Sequence, residues 1–288
     1  MRHGSFSGAS QALHISPQAV SQQIHLLEDS LKITLFTRQG RHIQPTEQAT
    51  LLAPFVHAAF DELHKGVHRV SQAGDRFRIN INVSPYFAMH YLMARLERFR
   101  ERMPGTDLRL TTLVTLPDFA ADDVDVSIQW GFGHWRHLDA RLLVRDPKVI
   151  CCAPSLADRI TCPQDLLQFP LLHPVVARNL WSRVLTHLGV DSAIQDGDIQ
   201  LQDATTMRQA TGAGMGVGLV SEKDARADLA AGRLAAPLGL DALHDMDPAD
   251  IPGFYLVLPS ANKRIPIVEA FCEWALAQAW DDEAHYAF

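Results

Sequence analysis

The stretch Gly4-Ser5-Phe6-Ser7-Gly8-Ala9-Ser10-Gln11-Ala12-Leu13-His14-Ile15-Ser16-Pro17-Gln18-Ala19-Val20-Ser21-Gln22-Gln23-Ile24 decides the N-terminal fold. Ala9, Ala12 and Leu13 predict the buried side of a short helix over 7–13, and His14-Ile15 is a bare connection. Ser16 is a strong N-cap, and Pro17 suits the first helical position because the N–H it lacks would find no partner there. A second helix therefore starts at once. Val20, Ile24, Leu27 and Leu31 recur at spacings of four, three and four, which predicts one buried stripe on a helix ending near Ser30. Gln18, Ser21, Gln22 and His25 fall on the polar face. Two helices so joined form a helix-turn-helix, whose second member offers the side chains of its N-terminal half to base edges in the major groove. Gln can pair bidentately with adenine, and Ser can reach several groups. We therefore read Ser16, Pro17, Gln18, Ser21, Gln22 and His25 as facing DNA.

Downstream, Leu35-Phe36-Thr37-Arg38-Gln39-Gly40-Arg41-His42-Ile43-Gln44-Pro45-Thr46 reads as two short strands around a Gln-Gly turn. Arg38 and Arg41 sit at its tip, placed to neutralise phosphates or enter the minor groove, so residues 1–46 read as a winged helix-turn-helix. Residues 47–74 follow as a linker helix. Val56, Phe60, Leu63, Val67 and Val70 alternate spacings of four and three, a short heptad seam suited to a second copy of itself; packing on its own C-terminal domain is the alternative. His57, Asp61, His64 and His68 flank that seam, and without a closed ligand set they read as a solvated face rather than a metal site. The pattern breaks at Ser71-Gln72-Ala73-Gly74-Asp75, where we place the domain boundary.

Residues 75–288 alternate strand and helix. Strands are predicted over 77–83, 108–114, 124–130, 142–153, 199–201, 217–220 and 254–258, and helices over 87–102, 163–168, 179–188, 205–211 and 265–279. Such alternation means α/β. Thr211-Gly212-Ala213-Gly214-Met215-Gly216-Val217-Gly218 invites a dinucleotide-binding reading, but it follows a helix and enters a strand, the reverse of what a nucleotide loop needs. We read it as a tight helix-to-strand connection.

With 288 residues, 47% of them hydrophobic, the chain has material for two domains. No run of about 18 uncharged apolar residues and no signal peptide is present, so a cytoplasmic protein without membrane attachment is expected. Cys151, Cys152, Cys162 and Cys272 show neither metal-ligand nor disulfide-framework spacing and read as small core residues. The net charge of −7 divides unevenly: residues 1–72 carry six basic and five acidic side chains, and the remainder carries −8. That sign, though weak, suits a nucleic-acid-binding N-terminus.

The opening stretch, followed by Leu26-Leu27-Glu28, Leu35-Phe36-Thr37-Arg38 and Pro45-Thr46-Glu47, closely resembles the winged helix-turn-helix of LysR-type transcriptional regulators, and the match in order and length runs through the whole chain. The resemblance implies a homodimer or homotetramer that binds interrupted dyad sites on double-stranded DNA and alters transcription when a small effector occupies the C-terminal domain, with RNA polymerase a further candidate partner. It also implies that this domain has two lobes like a periplasmic binding protein, lobe one over 77–152 and 259–288 and lobe two over 153–258. Leu116-Pro117-Asp118-Phe119 and Asp123-Val124-Asp125-Val126-Ser127-Ile128 look like the branch related to the glycine-cleavage activator. Family members carry about one more helix before the position of Gly4, so we expect a start placed too late or a shortened chain, with impaired DNA binding. Relatives also place basic residues where this chain has Gln22, His25 and Leu26, so low non-specific affinity is expected.

Open α/β sheets bind ligands beyond the C-terminal ends of their strands. Ser84, Tyr86 and Phe87 occupy one such junction, Thr112, Gln129 and Trp130 end neighbouring strands, and Asp203, Thr205 and Thr206 stand at another strand-to-helix turn. These are the predicted effector contacts; helix capping by Ser84 or Thr205 and core packing by Trp130 are the alternatives, and His173 and Trp181 are weaker candidates. No cofactor is expected. Gly-x-Ser-x-Gly, H-E-x-x-H and P-loop motifs are absent, which argues against hydrolytic or phosphoryl-transfer enzymes. A solute-binding protein, and a regulator that binds effector but not DNA, are the other readings.

Overall fold

The computed structural model describes residues 5–39, 42–71, 77–191 and 199–281. The chain divides into two compact units, Met1–Ala73 and Gly74–Phe288.

In the first unit, α1 (Phe6–Leu13) is capped by Ser5 and closed by His14 in the left-handed conformation. Helix α2 (Pro17–Leu31) starts where Ser16 and Pro17 predict, with the Ser16 hydroxyl accepting from the Ala19 N–H at 3.1 Å. Strands β1 (Phe36–Gln39) and β2 (His42–Pro45) pair antiparallel. Glu28 fastens this hairpin to α2: its carboxylate accepts the Leu35 and Phe36 N–H groups at 2.6 and 3.0 Å. Thr46 then caps α3 (Glu47–Ser71), accepting from the Ala49 N–H at 3.2 Å. The predicted α2 stripe is only partly covered, since Val20 is buried and Ile24 half-buried while Leu27 and Leu31 are exposed. On α1, Ala12 and Leu13 are likewise exposed. Eight residues of helix reach only about 12 Å, too short to cover a partner of fifteen.

The second unit holds two sheets. The first contains β3 (Arg78–Val83), β4 (Asp107–Thr112), β5 (Val126–Gly131), β6 (Asp139–Arg145) and a late strand, Gly253–Leu258. The second contains β7 (Lys148–Cys151), β8 (Leu171–Pro174), β9 (Ile199–Leu201) and β10 (Val217–Ser221). The late strand is β11, and the orders are β4-β3-β5-β11-β6 and β7-β10-β8-β9. Helices are α4 (Pro85–Phe87), running through a π-helical turn at Ala88–Leu92 into α5 (Met93–Arg102), then α6 (Pro154–Ala157), α7 (Leu180–His187), α8 (Ala204–Gly212), α9 (Glu222–Ala230) and α10 (Pro266–Leu276). Phe87, Phe99, Phe254, Phe271 and Trp274 centre the core of the first sheet; Ile160, Leu166 and Trp181 centre that of the second.

The expected lobe boundaries move at both crossings. The single strand predicted over 142–153 is two, broken at Asp146-Pro147, and its second half β7 pairs with β10 in the second sheet. Strand β11, expected in lobe two, instead pairs with β5 and β6 in the first sheet. The two crossings lie side by side, the Asp146 N–H donating to the Pro252 carbonyl at 2.8 Å. The glycine run joins α8 to β10 as predicted: a Cβ at Gly216 would overlap the Pro170 carbonyl, and one at Gly218 the Thr211 hydroxyl.

Candidate ligand cavity and DNA-facing helix

Where the strands of the two sheets end, side chains from both enclose a cavity of about 680 Å³ including its mouth. From the first sheet come Ser84, Tyr86, Trp130 and Phe254; from the second come Pro174, Leu219, Val220 and Ser221, with Asp203 and Met207 from the α8 turn. The crossing segment adds Asp146 and Lys148. Ser84 is fixed by its N–H, which donates to the Ile128 carbonyl at 2.8 Å, so the chain leaves β3 directly into Pro85 and the helix.

A buried polar network spans this cavity. One Asp146 oxygen accepts from the Trp130 indole N–H at 2.6 Å and from the Lys148 ammonium at 2.5 Å, and the ammonium also donates to the Ser221 hydroxyl at 3.0 Å. The Lys148 and Asp146 side chains are only 7% and 6% exposed. Lys148 also lies 4.9 Å from the centre of the Trp130 ring, so it is held by charge, hydrogen bond and ring face together. The network joins the end of β5, the crossing and the end of β10.

Tyr86 is 9% exposed, its ring stacked between His90 at 4.1 Å and Phe254 at 5.8 Å, and its hydroxyl is buried without a hydrogen-bond partner. Burial, with Asp224 and Asp146 adding, pushes the phenol far above its ordinary range, against a smaller lowering by the neighbouring Ser221 hydroxyl. Tyr86 therefore stays protonated, a donor facing a cavity. Burial holds His90 below the usual histidine range against the opposing pull of Asp224. Burial also pushes Asp203 up, but the Thr206 hydroxyl and N–H outweigh it and hold that carboxyl below the usual range.

Of the predicted contacts, Ser84, Tyr86, Trp130 and Asp203 come together on this cavity. Phe87 does not: its ring is fully buried against Tyr91, Phe254 and Trp280, because the helical turn after Pro85 rotates it into the core. Gln129 is buried and spends its amide on the Thr115 carbonyl and the Ser127 hydroxyl. Thr112 is exposed at the end of the edge strand β4, and Thr205 and Thr206 are exposed on α8, Thr206 engaged by Asp203. Neither His173 nor Trp181 lines the cavity; both are buried, and the Trp181 indole donates to the Leu172 carbonyl at 2.8 Å. Asp146, Lys148, Ser221 and Asp224 are additions that the sequence reading missed. Cys151 and Cys152 are buried, and burial pushes their thiols up to about 12 and about 11, so they remain protonated core residues.

In the N-terminal unit, Ser16, Pro17, Gln18, Gln22 and His25 are exposed, and Ser21 is half-buried. Ser21 and His25 border a groove of about 480 Å³ with Phe6, Ile24, Phe36 and Ile43, placing them on the flank of α2 rather than its outermost face. His25 also lies 3.4 Å from Glu28. Arg41 lies outside the described residues, as do the side chains of Arg38, Asp61, His64, His68 and Val70. On α3, Val56 is exposed, and Phe60, Leu63 and Val67 are 60%, 63% and 68% exposed within the single chain. Among the described residues, no group of three or more His, Cys, Asp or Glu side chains is placed to hold a metal ion, and no helix is long and apolar enough to cross a membrane.

Two family descriptions match the chain, one inside the N-terminal unit and the other over nearly all of the C-terminal one. "Bacterial regulatory helix-turn-helix protein, lysR family" matches residues 1–50, and "LysR substrate binding domain" matches residues 72–280. The chain belongs to the LysR family. It is similar to the glycine cleavage system transcriptional activator of Escherichia coli K12, 31% identical over 291 residues covering 100% of this chain and 93% of that protein. It is also similar to the HTH-type transcriptional activator AmpR of Rhodobacter capsulatus, 31% identical over 279 residues covering 97% and 93%. The effector domain of AmpR from Pseudomonas aeruginosa superimposes with a TM-score of 0.57 at 27% identity, over 69% of this chain and 93% of that one. Full-length AphB of Vibrio cholerae shares the fold, with a TM-score of 0.51 at 19% identity over 96% and 95%. As a LysR-type protein the chain is a ligand-responsive, DNA-binding transcription regulator of a family that oligomerises and is not enzymatic.

Proposed function

We propose that this regulator senses a small metabolite in the cavity bounded by Ser84, Tyr86, Trp130, Lys148, Asp203 and Ser221, and that it reads a dyad operator as a homo-oligomer through Gln18, Ser21, Gln22 and His25. Helix α3 pairs with its copy through Val56, Phe60, Leu63, Val67 and Val70, and Arg38 and Arg41 of the wing meet backbone phosphates. RNA polymerase is the partner through which transcription changes, and the cytoplasm is the place of action. Domain limits of 1–46, 47–74 and 75–288 go with this reading.

The buried, unpartnered Tyr86 hydroxyl carries the ligand assignment. An unmade hydrogen bond in an apolar surround costs about 1–3 kcal/mol, and a ligand acceptor in the cavity would recover it. The test is a reporter assay on Tyr86→Phe and Ser84→Ala proteins in a host that makes the effector. Both variants should keep binding operator DNA in a shift assay while losing effector-dependent transcription. Wild-type induction in both would refute the assignment.

A further inference from the structure

Trp280 follows the end of α10 at Leu276 and lies outside any helix, yet it is only 2% exposed. Its indole N–H donates to the Ala275 carbonyl at 2.8 Å, and its ring packs on Phe87 at 4.9 Å and edge-on to Trp274 at 6.0 Å. Phe87 continues to Phe254 at 5.2 Å, and Phe254 to Tyr86 at 5.8 Å with the two rings parallel. One end of this row of rings is Trp280; the other end, Phe254 and Tyr86, is a wall of the ligand cavity.

Arg95 ties the same segment to the helix after Tyr86 from another side. It is 6% exposed, one terminal nitrogen donates to the Tyr91 carbonyl at 3.1 Å and the other to the Ala279 carbonyl at 3.2 Å, and its guanidinium lies 5.4 Å over the Trp280 ring. A guanidinium is costly to bury unless it is hydrogen-bonded, so the two carbonyls and the ring form one clamp. Tyr91 belongs to the π-helical turn Ala88–Leu92, a rare backbone form that recurs at functional sites. This turn carries His90, whose ring stacks on Tyr86 at 4.1 Å. Clamp and row of rings thus converge on the residue whose buried, unpartnered hydroxyl belongs to the cavity.

We propose that Trp280, clamped by Arg95, is a positioning residue of the sensing cavity: it touches no ligand, and it holds the π-helical turn that fixes Tyr86 and His90 in place. Close-packed side chains pass on a displacement rather than absorb it, so a vacancy at Trp280 reaches Tyr86 through Phe87 and Phe254. The inference rests on the Tyr86 cavity being the sensing site, and its test has one arm that needs no effector.

That arm is hydrogen exchange of the full chain, read by mass spectrometry over residues 84–92. Trp280→Ala should speed exchange there about fivefold or more, beyond any rise shared by the rest of the first sheet, and Trp280→Phe should restore most of the protection. Phe271→Leu opens the same core but contacts Phe99 and Trp274 rather than the row leading to Tyr86, and it should leave 84–92 no faster than the rest of that sheet. In the second arm, a reporter assay in a host that makes the effector, Trp280→Ala should bind operator DNA as the wild type does and lose effector-dependent induction by about twofold or more, with Trp280→Phe recovering it. Unchanged exchange over 84–92 in Trp280→Ala, or a rise no larger than that in Phe271→Leu, would overturn the proposal. So would full induction in Trp280→Ala where Tyr86→Phe loses it. Full induction in Tyr86→Phe as well would strike the cavity reading instead, and the exchange result then decides whether Trp280 holds the turn. If Trp280→Ala does not fold, Trp280→Leu takes its place in both arms and is read by the same criteria.

Discussion

Lys148 and Asp146 are two opposite charges taken out of water together, each with further hydrogen bonds to Ser221 and Trp130. A buried pair of this kind contributes little over an apolar pair of the same shape, but losing one member leaves the other charged and dry at a cost of about 3–5 kcal/mol. Lys148→Met should therefore lower the unfolding free energy by an amount of that order, read as a lower denaturant midpoint at an unchanged slope, and Lys148→Met with Asp146→Leu should recover most of it. A double-variant loss equal to the sum of the Lys148→Met and Asp146→Leu losses would mean that the pair is not energetically coupled. These two residues were not legible in the sequence for a physical reason. Charged side chains flanking a proline in an apolar run look like a solvent-exposed kink, and only the fold reveals that both sheets close over them. Ser84, Tyr86, Trp130 and Asp203 were legible because a strand end followed by a cap or Pro is a local signal.

At the scale of elements, the sequence carries helix starts better than strand partners. Ser16-Pro17 and Thr46 mark α2 and α3 to the residue, since a cap is a contact within one turn of chain. Partner choice is not local: the continuous apolar run of β11, buried at every residue, reads the same whether it pairs with β5 or with β10, so the exchange of β7 and β11 between sheets lay beyond pattern reading. Strand β8 and helix α9 went unpredicted, being short or of weak amphipathic pattern. The glycine run was legible, and its reading can be tested. Gly216→Ala drives a methyl into the Pro170 carbonyl and should destabilise the protein by about 1–3 kcal/mol, whereas Gly232→Ala, where no atom lies within 4 Å of the new carbon but φ is +68, should cost about 1 kcal/mol from backbone strain alone. Thermal unfolding of the two variants checks the order, and equal losses would contradict close packing at Gly216.

For the whole molecule, the function proposed above joins the exposed apolar seam of α3 to the polar face of α2, because reading a dyad requires two recognition helices presented at once. Phe60→Glu with Leu63→Glu places like charges across that seam and should shift the protein to monomer in light scattering at micromolar concentration, with operator affinity falling together with oligomeric state. An unchanged mass would move the self-contact elsewhere. The measurement that tests the central claim most directly is selection by the full chain from a pool of random duplex DNA, repeated with Gln18→Ala and Gln22→Ala together. The wild-type chain should enrich two half-sites related by a dyad and separated by about one helical turn (~34 Å) or a multiple of it, and the double variant should lose that enrichment. A pool left unenriched by the wild-type chain, or the same sequences enriched by both, would contradict the account.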